Sequence, residues 1–239
     1  MSGMLGILGG MGPLAGAHFC ARLTLLTPAA RDQAHVPFLL WSDPRVPDRT
    51  AAWLAGGPDP LPALLRGLRG LETAGALAIV IPCNTAHGWF EAMQAACPLP
   101  ILHIVDAAAE DLSRQGVAPG RIGLLATAGT LAMRLYQDRL EARGWEVLVP
   151  APAVMAALVS PAIAAVKAGQ PDLATAPLAE AAAGLVAQGA TAVVLGCTEI
   201  PLGLPEGAPR IAIGVPVIDT IDGLARAAIR WAALSEPAG

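Results

Sequence analysis

Cys83 and Cys197 are the residues from which a chemistry can be read. Each ends an apolar run, "AIVIPCNTAH" (78–87) and "AVVLGCTEIP" (192–201), and polar residues follow at once: Asn84, Thr85 and His87 in the first, Thr198 and Glu199 in the second. The end of a buried strand has little use for such groups unless something polar sits in front of them. Two thiols on opposite faces of one carbon make a two-base device for inverting a stereocentre. One, as thiolate, takes the α-proton; the other, as thiol, returns a proton from the far side, and the roles exchange for the opposite enantiomer. A thiol with an ordinary pKa of about 8.5 is only slightly ionised at neutral pH, and the N-terminus of a following helix favours the thiolate. The same backbone N–H groups, with Asn84, Thr85 and Thr198, can hold a substrate carboxylate and the charge that develops in the transition state. Cys20, inside a helix-like apolar stretch, and Cys97, just before Pro98, read instead as small buried hydrophobes.

The elements that must carry these thiols alternate in type. "MLGIL" (4–8), "PFLLW" (37–41), "LAIVI" (77–81) and "PILHIV" (100–105) are continuously apolar and bounded by Gly or Pro, the pattern of buried parallel strands. "RIGLLA" (121–126), "EVLVP" (146–150), "TAVVL" (191–195) and "VPVID" (215–219) repeat it later. Between the early strands, 13–26, 60–75 and 86–97 have helical length and periodicity, so the expected class is α/β. The chain also resembles itself at a nearly constant offset. Gly6-Ile7-Leu8 with Gly12-Pro13-Leu14-Ala15 matches Gly123-Leu124-Leu125 with Gly129-Thr130-Leu131-Ala132; "GALAIVIPC" (75–83) matches "GATAVVLGC" (189–197); "PILHIVD" (100–106) matches "PVIDTID" (216–222). Three matches in one order argue for duplication. The expectation is two similar α/β halves, each a short mainly parallel sheet flanked by helices, related by a pseudo-twofold with the active site between them. Their bounds are 1–99 and 100–216, with 217–239 a C-terminal helix returning to the first half. Each cysteine would then stand at the C-terminal end of a central strand, where open α/β sheets bind ligands.

Composition bounds the function. The 239 residues, 54% hydrophobic and 14% charged, suffice for one large or two small cores, and the net charge of −4 without a basic stripe disfavours nucleic acid or an acidic membrane surface as partner. No run approaches the roughly 20 apolar residues of a membrane span. The N-terminal stretch lacks a basic region and reads as a first strand and turn, not a signal peptide. Four cysteines without CxxC spacing fit reduced thiols in a cytoplasmic enzyme.

"GILGGMGPLA" (6–15), "TPAARDQAHVP" (27–37), "VPDRT" (46–50), "PCNTAH" (82–87), "GLLATAGT" (123–130), "VKAG" (166–169) and "GCTEIP" (196–201) resemble the aspartate racemases of the aspartate/glutamate racemase superfamily, in the family's order and over almost the whole chain. The resemblance implies a cofactor-independent isomerase, without pyridoxal phosphate or metal, that works as a homodimer on a small, dicarboxylic amino acid. It implies Cys83 and Cys197 as the catalytic pair, and Asn84, Thr85, Thr127 and Thr198 as carboxylate-binding positions. It further implies Arg49 and Lys167 as cations near the substrate's carboxylates, with Met11 and Glu199 also at the substrate. A second carboxylate wants a guanidinium or ammonium nearby, which makes sense of Arg49 and Lys167 chemically. Glutamate racemases usually carry Asp-Ser in the first glycine-rich loop and His after the second Cys-Thr; here stand Met11-Gly12 and Glu199, which weakens glutamate as the substrate. Trp41-Ser42-Asp43 is an unfamiliar variant of the loop nearing the cleft and leaves a non-standard amino acid open.

Rival readings explain less. Gly10-Met11-Gly12-Pro13-Leu14-Ala15 fits G-x-G-x-x-A, but the next strand-end acid, Asp43, is too far on for the ribose contact of an NAD-dependent oxidoreductase. Cys83 and His87 are spaced like two zinc ligands without a companion pair. His87 reads as a helix residue that helps to orient the site, its role open; His18, His35 and His103 read as structural or exposed. A non-catalytic two-lobed binder needs no thiol on both sides of a cleft. Within the superfamily, one-cysteine decarboxylases and two-cysteine isomerases of maleate are the neighbouring enzymes, and the two cysteines exclude the first more firmly than the second.

Overall fold

The structure, a computed structural model, describes residues 3–234; residues 1–2 and 235–239, the outer ends of the first and last expected segments, lie outside the described residues. The chain divides into two compact units, Met1–Ala107 with Ile221–Gly239, and Ala108–Thr220.

In the first unit β1 (Leu5–Gly9) is buried along its whole length and lies second in a parallel sheet of β2 (Phe38–Ser42), β1, β3 (Ala78–Val80) and β4 (Ile101–Leu102), in that order. A strand covered on both faces is continuously apolar, which is why these runs are readable in the sequence. Helix α1 (Pro13–Leu26) starts on a proline, whose fixed φ and missing N–H suit a first turn. Helix α2 (Arg49–Ala55) is capped by Asp48, whose carboxylate accepts from Ala51 N at 2.7 Å. Helix α3 (Leu61–Thr73) buries Leu64, Leu68 and Leu71, one helical face. A 3₁₀ turn, Thr85–Trp89, leads into α4 (Phe90–Ala96), and the boundary between the units falls inside α5 (Ile104–Arg114).

The second unit repeats the plan. Strands β5 (Arg121–Ala126), β6 (Glu146–Leu148), β7 (Val193–Gly196) and β8 (Val217–Asp219) are all parallel, in the order β6-β5-β7-β8. After β5 come α6 (Ala128–Ala132) and α7 (Leu135–Glu141); after β6, α8 (Pro152–Val154) runs through a π turn at Met155–Val159 into α9 (Ser160–Lys167), followed by α10 (Thr175–Ala187). Short α11 (Ile200–Gly203) and α12 (Ala208–Ile211) separate β7 from β8, and α13 (Thr220–Leu234) closes the chain. The duplication extends to packing. A Cβ at Gly6 would fall 3.3 Å from Leu71 Cβ and 3.0 Å from Ala76 Cβ; one at Gly123 would fall 2.9 Å from Leu185 Cβ and 3.5 Å from Ala190 Cβ. Matching strand glycines thus let matching helices close on the two sheets.

Two elements differ from expectation. The apolar run 100–105 is strand only over Ile101–Leu102; Ile104 and Val105 already form the first turn of α5, because imidazole nitrogens accept their backbone N–H groups. The stretch 86–97 is not one helix but a 3₁₀ turn followed by α4, with Trp89 at φ −104° and ψ 16° between them. Because β4 hydrogen-bonds to β3, the first unit runs on past residue 99. Arg22 of α1 grips Asp222 of α13 through two hydrogen bonds of 2.6 Å, fixing the final helix to the first unit. Among the described residues no helix is long and apolar enough to cross a membrane.

Candidate active site

Strand order decides where chemistry can sit. β1 feeds β2 on one side while β3 lies on the other, so the loops leaving β1 and β3 part at the sheet's switch point, where α/β sheets bind ligands. Ile7 pairs with Val80, and three residues further along Gly10 and Cys83 leave the same edge. In the second unit Ala126 pairs with Gly196, so Thr127 and Cys197 leave their edge side by side. Each thiol therefore stands at the switch point of its own sheet.

In the first unit Met11, Val46 and Cys83 share one apolar cluster, with Cys83 only 4% exposed. Asn84 and Thr85, both buried, begin the 3₁₀ turn directly after the thiol. Arg49 opens α2 with 9% exposure; its Nη1 donates to the carbonyls of Val46 (3.3 Å) and Pro47 (3.1 Å) and its Nη2 to that of Met11 (3.4 Å). Its Nε is buried without a hydrogen-bond partner, and among the described residues no carboxylate pairs with it. A buried guanidinium surrounded by carbonyls is short of negative charge. Trp53 of α2 meets Trp89 of the 3₁₀ turn edge-on at 6.2 Å, which seats α2 against the loop that carries Cys83.

In the second unit Cys197 Sγ donates to Glu199 Oε2 at 3.1 Å, and Thr198 Oγ1 donates to the same oxygen at 3.3 Å. All three residues are buried. Burial pushes the Cys197 thiol well above its ordinary pKa and the Glu199 carboxylate pushes it the same way, while Lys167, exposed at the end of α9, pulls against them. Thr127 caps α6, its hydroxyl accepting from Thr130 N at 3.1 Å. Cys20 and Cys97, by contrast, lie away from either switch point, and burial raises the pKa of both.

Three neighbours of the two loops were not among the residues expected at the site. Asp43, at the end of β2, is buried and receives Arg45 through its backbone N (3.0 Å) and Nε (2.8 Å); these bonds hold its carboxyl below the usual range, and its backbone walls the Gly10 turn. Tyr136, the chain's single tyrosine, is fully buried on α7, bonds to Thr220 and packs against Gly196 beneath Cys197. Thr220 in turn donates to Leu195 O at 2.8 Å, bracing β7 two residues before the thiol. An acid at a strand end, read as part of a loop, is the trace that pointed to Asp43; nothing near Tyr136 or Thr220 in sequence points to Cys197. Among the described residues no group of three His, Cys, Asp or Glu is placed to hold a metal ion.

Over 234 residues, 95% of this chain and 96% of the relative, the sequence is 27% identical to the broad specificity amino-acid racemase RacX of Bacillus subtilis. It is 32% identical to the glutamate racemase of Pseudomonas entomophila over 71% of this chain and 63% of that one. The aspartate racemase of Picrophilus torridus has a similar structure, with a TM-score of 0.84 at 31% identity, covering 97% of this chain and 94% of that one. The family model for Asp/Glu/Hydantoin racemase matches residues 8–228, and the chain is a racemase belonging to that family.

Proposed function

We propose that the substrate is a small dicarboxylic amino acid, aspartate first, and that Cys83 and Cys197 are the two acid/base groups of a cofactor-independent 1,1-proton transfer. The observation that supports this best is the equivalence of the two thiols: each follows the third strand of a four-stranded parallel sheet of the same order, beside the loop leaving the first strand. On this reading the Cys83 thiolate takes the α-proton of one enantiomer, and the electron pair left behind is held by the substrate's own α-carboxylate against nearby N–H and hydroxyl donors. The Cys197 S–H bond then breaks as its proton goes to the opposite face of the carbon, leaving Cys83 as thiol and Cys197 as thiolate, ready for the other enantiomer. The resting bond from Cys197 to Glu199 fits the donor role, because it holds that sulfur protonated. Arg49 and Lys167 are the cations for the carboxylates; Arg49 in particular, which pairs with no carboxylate among the described residues, gains an anion.

Aspartate is favoured by the similarity to the Picrophilus protein; a broader amino-acid range is the second reading, supported by the similarity to RacX over nearly the whole chain. Each enantiomer of aspartate, glutamate and a panel of neutral amino acids, incubated in deuterated buffer, decides between them. Proton NMR reads loss of the α-hydrogen and chiral chromatography reads inversion. Exchange and inversion of both aspartate enantiomers, faster than of any neutral amino acid, is the expected result. An untouched α-hydrogen in aspartate overturns the substrate assignment.

A further inference from the structure

We propose that His87 is the residue that positions Cys83, and that His103 sets the ring of His87; the inference rests on the reading of Cys83 as a proton-transfer base. His87, 2% exposed, lies on the 3₁₀ turn that follows the thiol. Its Nε2 accepts the backbone N–H of Ile104 at 3.3 Å, and its Nδ1 stands 2.9 Å from the carbonyl oxygen of Cys83. A backbone N–H can only donate, so Nε2 carries no hydrogen; the hydrogen of the neutral ring is then on Nδ1, and the Cys83 carbonyl accepts it. One imidazole thus joins the first N–H of α5 to the backbone of the thiol-bearing residue. Cys83 is pinned from its other side as well, its N–H donating to Ile81 O at 2.7 Å.

The ring's orientation is itself fixed. His103 immediately precedes α5; its carbonyl accepts from Ala107 N at 3.1 Å while its Nδ1 accepts from Val105 N at 3.1 Å, the two bonds of a helix N-cap. Its ring meets that of His87 edge-on with centroids 4.7 Å apart, and Phe90 lies nearly parallel to His87 at 6.2 Å and edge-on to His103 at 4.6 Å. Three packed rings leave His87 little freedom to turn. The second unit has no counterpart, since Pro201 takes the place of His87 in the repeat, and bracing there comes from Thr220 to Leu195.

Two isosteric variants separate clamping of Cys83 from capping of α5. In His87→Asn the side-chain NH₂ falls where Nδ1 was and keeps the bond to Cys83 O; in His87→Gln the terminal amide falls where Nε2 was and keeps an acceptor for Ile104 N. Steady-state kcat and KM for aspartate, with iodoacetamide alkylation of Cys83 and Cys197 followed by peptide mass mapping, are measured in both variants and in His87→Ala. Misplacing a reacting group by about 1 Å costs as much as about 100-fold. His87→Ala and His87→Gln are therefore expected to lose kcat at least about tenfold with KM nearly unchanged. Alkylation should slow at Cys83 and not at Cys197, and His87→Asn should restore most of both. Equal damage in Asn and Ala, or a Gln variant that behaves like the parent, overturns the assignment. If Ala fails to fold, the Asn and Gln pair still decides. If the protein racemises nothing, the proposed function falls by itself, while Cys83 alkylation that slows in Gln but not in Asn still supports the clamp and equal rates still overturn it.

Discussion

Cys197 Sγ stands 3.1 Å from Glu199 Oε2 and gives its hydrogen to that carboxylate, so one candidate base rests as a thiol held by an anion. Thr85 stands two residues after Cys83 where Glu199 stands two residues after Cys197, and the two sulfurs therefore begin in different electrostatic surroundings despite their equivalent places in the fold.

Replacing Glu199 by Gln keeps an acceptor for the thiol and removes the charge that opposes its ionisation. The pH profile of Cys197 alkylation is expected to move to lower pH, burial alone keeping it above an ordinary thiol. An unmoved profile would show that the carboxylate has no electrostatic hold on the sulfur.

Cys83→Ser and Cys197→Ser each remove one of the two proposed proton carriers. Racemisation of aspartate is expected to fall by about 10²–10⁴ in either variant, with far-UV circular dichroism unchanged. Wild-type turnover in either one contradicts the two-base mechanism.

Stability is expected to decline in alkali. The folded-state pKa of Cys197 is raised by burial and by Glu199, and that of Tyr136 by burial first. A native state that keeps a proton which the unfolded chain has released loses stability as pH rises: from about 8.5 upward for the thiol, from about 10 for the phenol. Urea midpoints measured from pH 7 to pH 10.5 check this, and Cys197→Ser should flatten the first part of the decline.

Arg49→Met tests the buried guanidinium, whose Nε lacks a hydrogen-bond partner. Losing a buried cation that pairs with no carboxylate among the described residues is expected to leave the melting temperature unchanged or slightly higher. The value of kcat/KM for aspartate should fall by about 100-fold or more through loss of a charge-assisted carboxylate contact. A large drop in melting temperature would mark Arg49 as a structural residue instead.

Gly10→Ala addresses the turn after β1. Gly10 has φ +90°, and a Cβ there would lie 2.5 Å from the backbone N, C and O of Asp43. Backbone against backbone cannot yield cheaply, so a loss of about 2–4 kcal/mol is expected from chemical denaturation. A change below 1 kcal/mol would mean that the turn can open.

Most of the architecture was legible in the sequence because two-face burial writes itself as unbroken apolar runs, and duplication writes itself as a repeat. The runs at 121–126 and 37–41 became β5 and β2 within a residue, and both thiols were visible as the residues closing the third runs. The tertiary structure decided what depends on partners distant in sequence. Strand 100–105 gave way to helix after Leu102 because His87 and His103 supply acceptors for the N–H groups of Ile104 and Val105, a contact that no apolar pattern encodes. Asp43 beside Gly10, and Tyr136 with Thr220 beneath Cys197, came together for the same reason: a parallel sheet brings strand ends into contact across long stretches of chain. Residue types and spacing fixed which atoms could move a proton; folding fixed which neighbours hold those atoms and which charge each one faces.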